Sequence, residues 1–365
     1  MGEEFQPIDA ALNFILLGLM LGSAAALFWA FQRHIGGRAL LAYEPRRPVP
    51  WSFLAPALML APAMLNVAAW ATPLPVETAT EVVAPVDAGG NDSAGQYSAA
   101  GLTMQAATFV GVTLACIAAI AALYGANARD LGLPSSAREL AGDVGAGAVA
   151  YLVVLIPVYG VNVCLNFLVE PAHGHPLIED LTQHSTSGLM AAAVAAAVIA
   201  APLFEETSFR LVFQGWLENH ETGRVQGAVD DEDAGEPVVV SVAYADAADG
   251  TPAEGALADA APAADATPAA VGEDAGDVGS ESTLKVIHYA PDRPCNWAAI
   301  CVSSALFALA HVGQGVAPFS LFPLGLALGY LYQRTHRIVP SMVCHALFNA
   351  TSLVALWLAL SGGKQ

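Results

Sequence analysis

The sequence predicts an all-α fold, a polytopic transmembrane bundle of about eight helices. Three observations carry that reading. Of the 365 residues, 55% are hydrophobic and only 13% charged. The apolar residues fall in blocks close to the ~20 that a bilayer-spanning helix needs. Lys and Arg collect in every second connector. A soluble globule spreads its charges more evenly, and without water only a helix or a closed barrel satisfies its own backbone groups.

Taken in order, the blocks are 11–31, 52–71, 101–124, 144–168, 187–217, 296–312, 319–333 and 340–360, the sixth and seventh being short. The first follows "MGEEFQPID", acidic where a secretory signal is basic, and so reads as a retained helix. Prolines 55, 62, 157 and 202 are tolerable within membrane helices and are expected to kink them. The connectors after helices 1, 3, 5 and 7 hold 11 of the 13 basic residues, and those after helices 2, 4 and 6 hold none. Basic loops resist translocation, so both termini are expected outside and the basic connectors in the cytoplasm, as in a multi-pass protein of the cell (inner) membrane.

The domain plan follows from the same pattern: helices 1–5 over 1–217, a connector over 218–295, and helices 6–8 over 296–360. The net charge of −20 is mostly local, because residues 221–292 hold 16 of the 33 acids against Arg224 and Lys285. Sequence such as "TPAEGALADAAPAADATPAAVGEDAGDVGSES" buries too little apolar area to fold, so this connector is expected to be disordered. Two β-leaning runs within it, "PVVVSVAYA" and "STLKVIHYA", could pair as a hairpin. No basic, aromatic-interleaved surface exists, and nucleic acid is excluded as a partner. The five cysteines lack C-x-x-C spacing and read as small buried apolar side chains.

Chemistry concentrates at "APLFEETSFR" (201–210). A carboxylate in hydrocarbon costs about 2.5–3.5 kcal/mol on insertion scales and commonly marks a functional site. Glu206 and Arg210 stand at i and i+4 in the favourable order and can neutralise each other. Glu205, rotated about 100° from Glu206, has no such partner. The bland alternative is a helix end whose charges are solvated. His311 closes "SSALFALAH", while His345 and Asn349 lie one turn apart in "CHALFNATS". Three late helices thus each bring polar groups to apolar sequence. His173, His175, His184, His220, His288 and His336 fall in connectors and are expected at the surface. Counted along upright helices, His345 lies about 8 Å and His311 about 22 Å from the cytoplasmic side, different depths.

Together, "EETSFR", "FALAH" and "HALFN" resemble E-E-x-x-x-R, F-x-x-x-H and H-x-x-x-N, the three-part signature of the CAAX prenyl protease and bacteriocin-processing (CPBP, or Abi) family of intramembrane endopeptidases. The resemblance covers roughly residues 140–360, with the catalytic core over 140–217 and 296–360; Leu211 stands where the family commonly has Gly. It implies peptide-bond hydrolysis within the membrane, with a peptide or protein tail as substrate and the lipid bilayer as surroundings. Glu205 would be the general base for the attacking water, and His311 would hold that water or pass its proton to the leaving amine. His345 and Asn349 would donate to the oxyanion, and Glu206 with Arg210 would fix helix 5. The resemblance leaves the cofactor open between none and Zn²⁺, which Glu205, His311 and His345 would hold. The competing classes are a non-catalytic scaffold or bacteriocin-immunity protein of the same fold, and a transporter, which should show repeated halves; none is visible.

Overall fold

Helix ends in this chain are written in local side chains. In the computed structural model, which describes residues 7–44, 46, 48–71, 98–168, 181, 186–219 and 297–362, Ser98 accepts from Gly101 N at 3.0 Å and opens α3 (Ala99–Tyr124). Gly125, at φ 62°, closes that helix in the left-handed conformation glycine favours. Ser136 caps the start of α4 (Ala137–Leu168), accepting from Glu139 N at 3.1 Å, while the Glu139 carboxylate accepts from Ser135 N and Oγ. The helix therefore begins seven residues before the apolar run expected at 144. Thr186 accepts from Leu189 N and opens α5 (Ser187–Asn219). The remaining helices are α1 (Pro7–Ile35), α2 (Leu54–Ala71), α6 (Trp297–Leu309), α7 (Ala317–Thr335) and α8 (Val339–Gly362).

Eight helices and no strand occur among the described residues, as the sequence predicts. Five are long and apolar enough to cross a membrane: α1, α3, α4, α5 and α8. At 13 residues, α6 is shorter. All eight belong to one compact unit, Met1–Glu232 with Ala290–Gln365. Apart from Glu218 and Asn219, which end α5, the acidic connector and its expected disorder or hairpin lie outside the described residues.

Two helices organise the packing. α4 lies against α1, α7 and α8, and α5 lies against α2, α3, α6 and α8. Leu155, Leu324, Leu328 and Cys344 fill the contact of α4 with α7 and α8. Small residues set the closest approaches. A Cβ on Gly147 would lie 2.5 Å from Pro340 O and 2.8 Å from Val343 Cβ, so α4 and α8 cross there without room for a methyl group. Gly325 and Gly329, spaced as G-x-x-x-G on α7, face Ser304 and Ile300 of α6. In lipid, where apolar burial offers little drive, such close contact is what holds helices together. Cys344 is buried as expected, but Cys164 and Cys301 are exposed; an outward thiol costs little where the surroundings are hydrocarbon.

α5 departs from regular geometry twice. Ala195–Ala200 and Glu206–Gln214 are π-helical, with wider turns, and a five-residue α-helical piece, Ala201–Glu205, stands between them. Pro202 explains the first. It has no N–H for the ladder, and its ring crowds the carbonyl four residues back. Ala201 N–H accordingly donates to Ala196 O, five residues back.

Where α5 ends, a polar lock ties it to the connector following α1. Arg46 pairs with Glu218 at 3.1 Å and donates to Tyr332 Oη at 2.5 Å. Asn219 clasps Val49 from both sides, accepting from its N–H and donating to its carbonyl. Trp51 Nε1 donates to Val212 O. His336 was expected at the surface but is buried in this lock: Glu44 O accepts from its Nδ1 at 2.7 Å, and Nε2 lies 3.5 Å from Glu218. A connector position does not imply exposure when a neighbouring connector folds over it. Burial, with Arg46 nearby, holds this imidazole below its ordinary pKa, against the pull of Glu218. Beside the lock, Arg337 binds Glu44, Glu139 and Asp143.

Candidate active site

The motif of α5 begins at Glu205, where the α-helical piece ends, and continues into the second π-helical stretch. Glu206 and Arg210 are fully buried and pair at 3.5 Å, as their spacing predicts. Arg210 Nη1 donates to Ser303 Oγ at 2.9 Å, and Ser303 in turn donates to Phe209 O. The guanidinium also lies 4.9 Å from the Phe307 ring centroid. These contacts fix α6 against α5.

His345 of α8 donates from Nδ1 to Glu206 Oε1 at 2.9 Å. Its Nε2 then faces Glu205 Oε2 at 3.7 Å. His311 lies just past α6, in a tight turn that Ala310, His311 and Val312 close with backbone bonds. Phe307 O engages its Nδ1 at 2.8 Å and so assigns the proton to that nitrogen, because a carbonyl only accepts. The Nε2 lone pair is left 4.0 Å from Glu205 Oε1. Each oxygen of Glu205 thus faces a different imidazole, at separations too long for a direct hydrogen bond and short enough for a shared water. Glu205 Oε2 is buried without a hydrogen-bond partner. Glu205 and His311 are each 17% exposed, whereas Glu206 and Arg210 are at 0%.

The carboxylate pair, the arginine and both histidines therefore converge. The depth count fails, since His311 and His345 share Glu205 and both rings contact Phe307, at centroid distances of 5.0 and 5.6 Å. Asn349 is placed differently. Its Nδ2 donates to Ala197 O at 2.8 Å, in the first π-helical turn and two turns before Glu205. Two residues escaped the sequence reading. Phe307 is the first position of "FALAH" and orients His311 through its carbonyl; Ser303, four residues earlier, shares its face of α6.

Zinc does not fit this arrangement as it stands. Ligand atoms about 2.0–2.1 Å from a tetrahedral ion lie about 3.3 Å from one another. The Glu205–His345 and Glu205–His311 separations are 3.7 and 4.0 Å and run through opposite carboxylate oxygens. Among the described residues, no group of three or more His, Cys, Asp and Glu is arranged to hold a metal ion.

Residues 285–351, which carry His311, His345 and Asn349, match the family model described as "Type II CAAX prenyl endopeptidase Rce1-like". Over this segment the chain is similar to that family of CAAX endopeptidases. No curated protein and no solved structure matches the chain. With five helices long and apolar enough to cross a membrane, the chain is a multi-pass membrane protein. The match does not reach Glu205, which joins the two matched histidines through the geometry alone.

Proposed function

We propose that this protein is an intramembrane endopeptidase that hydrolyses a peptide bond with water activated by Glu205. The observation that carries this reading is the carboxylate poised between two imidazoles, buried at one oxygen, partly open to the outside, and tied to neither. Water between Glu205 and the His311 Nε2 lone pair gives its proton to the carboxylate as its oxygen attacks the carbonyl carbon. His345 as imidazolium holds Glu206 through Nδ1 and offers Nε2–H to the developing oxyanion, which donors fixed in advance stabilise strongly. In that state Arg210 and His345 balance Glu205 and Glu206, and the buried cluster carries no net charge. The proton then passes from Glu205, by way of His311, to the amine nitrogen as the C–N bond breaks. Asn349, its amide engaged by Ala197, takes no part in this step.

The family description points to prenylated C-terminal tails as substrates. The basic connectors favour a site reached from the cytoplasmic side of the cell membrane. The test is cleavage of prenylated and unprenylated tail peptides by purified protein in lipid, with Glu205→Gln alongside and a chelator in a parallel series. Cleavage that survives the chelator and disappears in the folded Glu205→Gln protein is expected. Equal cleavage by both proteins would remove Glu205 from the reaction, and cleavage by neither would leave a scaffold, in which Glu206, Arg210 and Ser303 only hold helices together.

A further inference from the structure

The carbonyl of Ala197 lacks a backbone partner for a reason readable in the chain. In an α-helix Ala201 N–H would reach it, but that group donates to Ala196 O. In a π-helical turn the donor would come from residue 202, which is proline and has none. A bare carbonyl inside a membrane bundle is costly, so the turn needs a donor from elsewhere. Asn349 Nδ2 supplies it, at 2.8 Å across the α5–α8 contact. The bond acts on the turn directly ahead of Ala201–Glu205, the piece that ends on the carboxylate. A change from π to α winding there would rotate that piece about the helix axis by roughly one residue's step, about 100°.

We propose that Asn349 is a positioning residue. It pins the π turn that Pro202 imposes and thereby turns Glu205 toward His311 and His345, rather than touching the reacting carbonyl. The proposal rests on Glu205 being the base, yet its central bond can be tested without activity.

Four full-chain proteins in the same lipid decide it: wild type, Asn349→Ala, Pro202→Ala and the double variant, compared by unfolding midpoint, kcat and KM on a prenylated tail peptide. Asn349→Ala is expected to lower the midpoint and to reduce kcat by about 10²-fold, the cost of a misplaced group. KM should stay within about twofold, because substrate binding is untouched. Pro202→Ala restores an N–H that can reach Ala197 O, so in that background Asn349→Ala should cost far less in both midpoint and kcat. Equal midpoint losses in the two backgrounds would overturn the pin. A midpoint that couples while kcat stays low in the double variant would overturn the positioning role and return Asn349 to the oxyanion. If wild type cleaves nothing, the enzymatic reading falls, and with it the role claimed for the turn, while midpoint coupling still reports whether Asn349 holds Ala197.

Discussion

Two glutamates of α5, thirteen residues apart, stand in opposite chemical situations. Glu218 is held by Arg46 at 3.1 Å and by Gln214 Nε2 at 3.0 Å. Glu205 faces two imidazoles at 3.7 and 4.0 Å and is bonded to neither. The paired carboxylate has its lone pairs committed and serves the fold. The other keeps them free in a place where an uncommitted charge is expensive, and that cost is retained only where chemistry uses it.

The same isosteric change sharpens this contrast most. Glu205→Gln is expected to reduce kcat by about 10²–10⁴-fold with an unchanged unfolding midpoint. Glu218→Gln should leave kcat near wild type and cost about 1–3 kcal/mol of stability. A reversed pattern in kinetics and thermal unfolding would break the comparison.

Next in size is Arg210→Met, which takes the guanidinium from buried Glu206, leaving it the His345 bond, and should destabilise by about 3–5 kcal/mol in chemical denaturation. An additional Glu206→Gln change should recover much of that loss.

Gly329→Val probes both regions at once, since a Cβ there would lie 2.9 Å from Gln214 Oε1 and 2.9 Å from Ile300 Cγ2. Overpacking of this kind costs about 1–3 kcal/mol and should displace α6, so kcat falls along with stability.

The smallest effect concerns pH. His336 is held below its ordinary value, so the unfolded chain binds the extra proton first. Its contribution is complete above the unfolded value of about 6.5 and is lost as pH falls below it. His336→Gln should flatten the dependence of the unfolding midpoint on pH between 5 and 7.

Hydropathy was enough to find every helix among the described residues, because blocks of lipid-compatible residues leave the backbone no other solution. It misplaced the start of α4, since Ser136 and Glu139 signal a helix through capping rather than apolarity. At the site, the spacing of Glu206 and Arg210 was legible, and the sharing of Glu205 by His311 and His345 was not. A depth count assumes upright, regular helices, whereas α6 is short, His311 sits in a turn beyond it, and α5 changes winding on both sides of Ala201–Glu205. Pro202 could have announced the first irregularity; its remedy, Asn349, lies 147 residues further along and only contact across the bundle reveals it. His336 was misjudged because burial by a distant connector leaves no trace in local composition.

The lock around Arg46 also bears on how the protein is made. Arg46 and Trp51 precede α5 in the chain, while Tyr332 and His336 follow it, so the clasp shuts fully only once residues 332–336 have been made. Until then the Asn219 end of the motif helix has half its grip, and a chain stalled before residue 332 presents quality control with an unfastened seam.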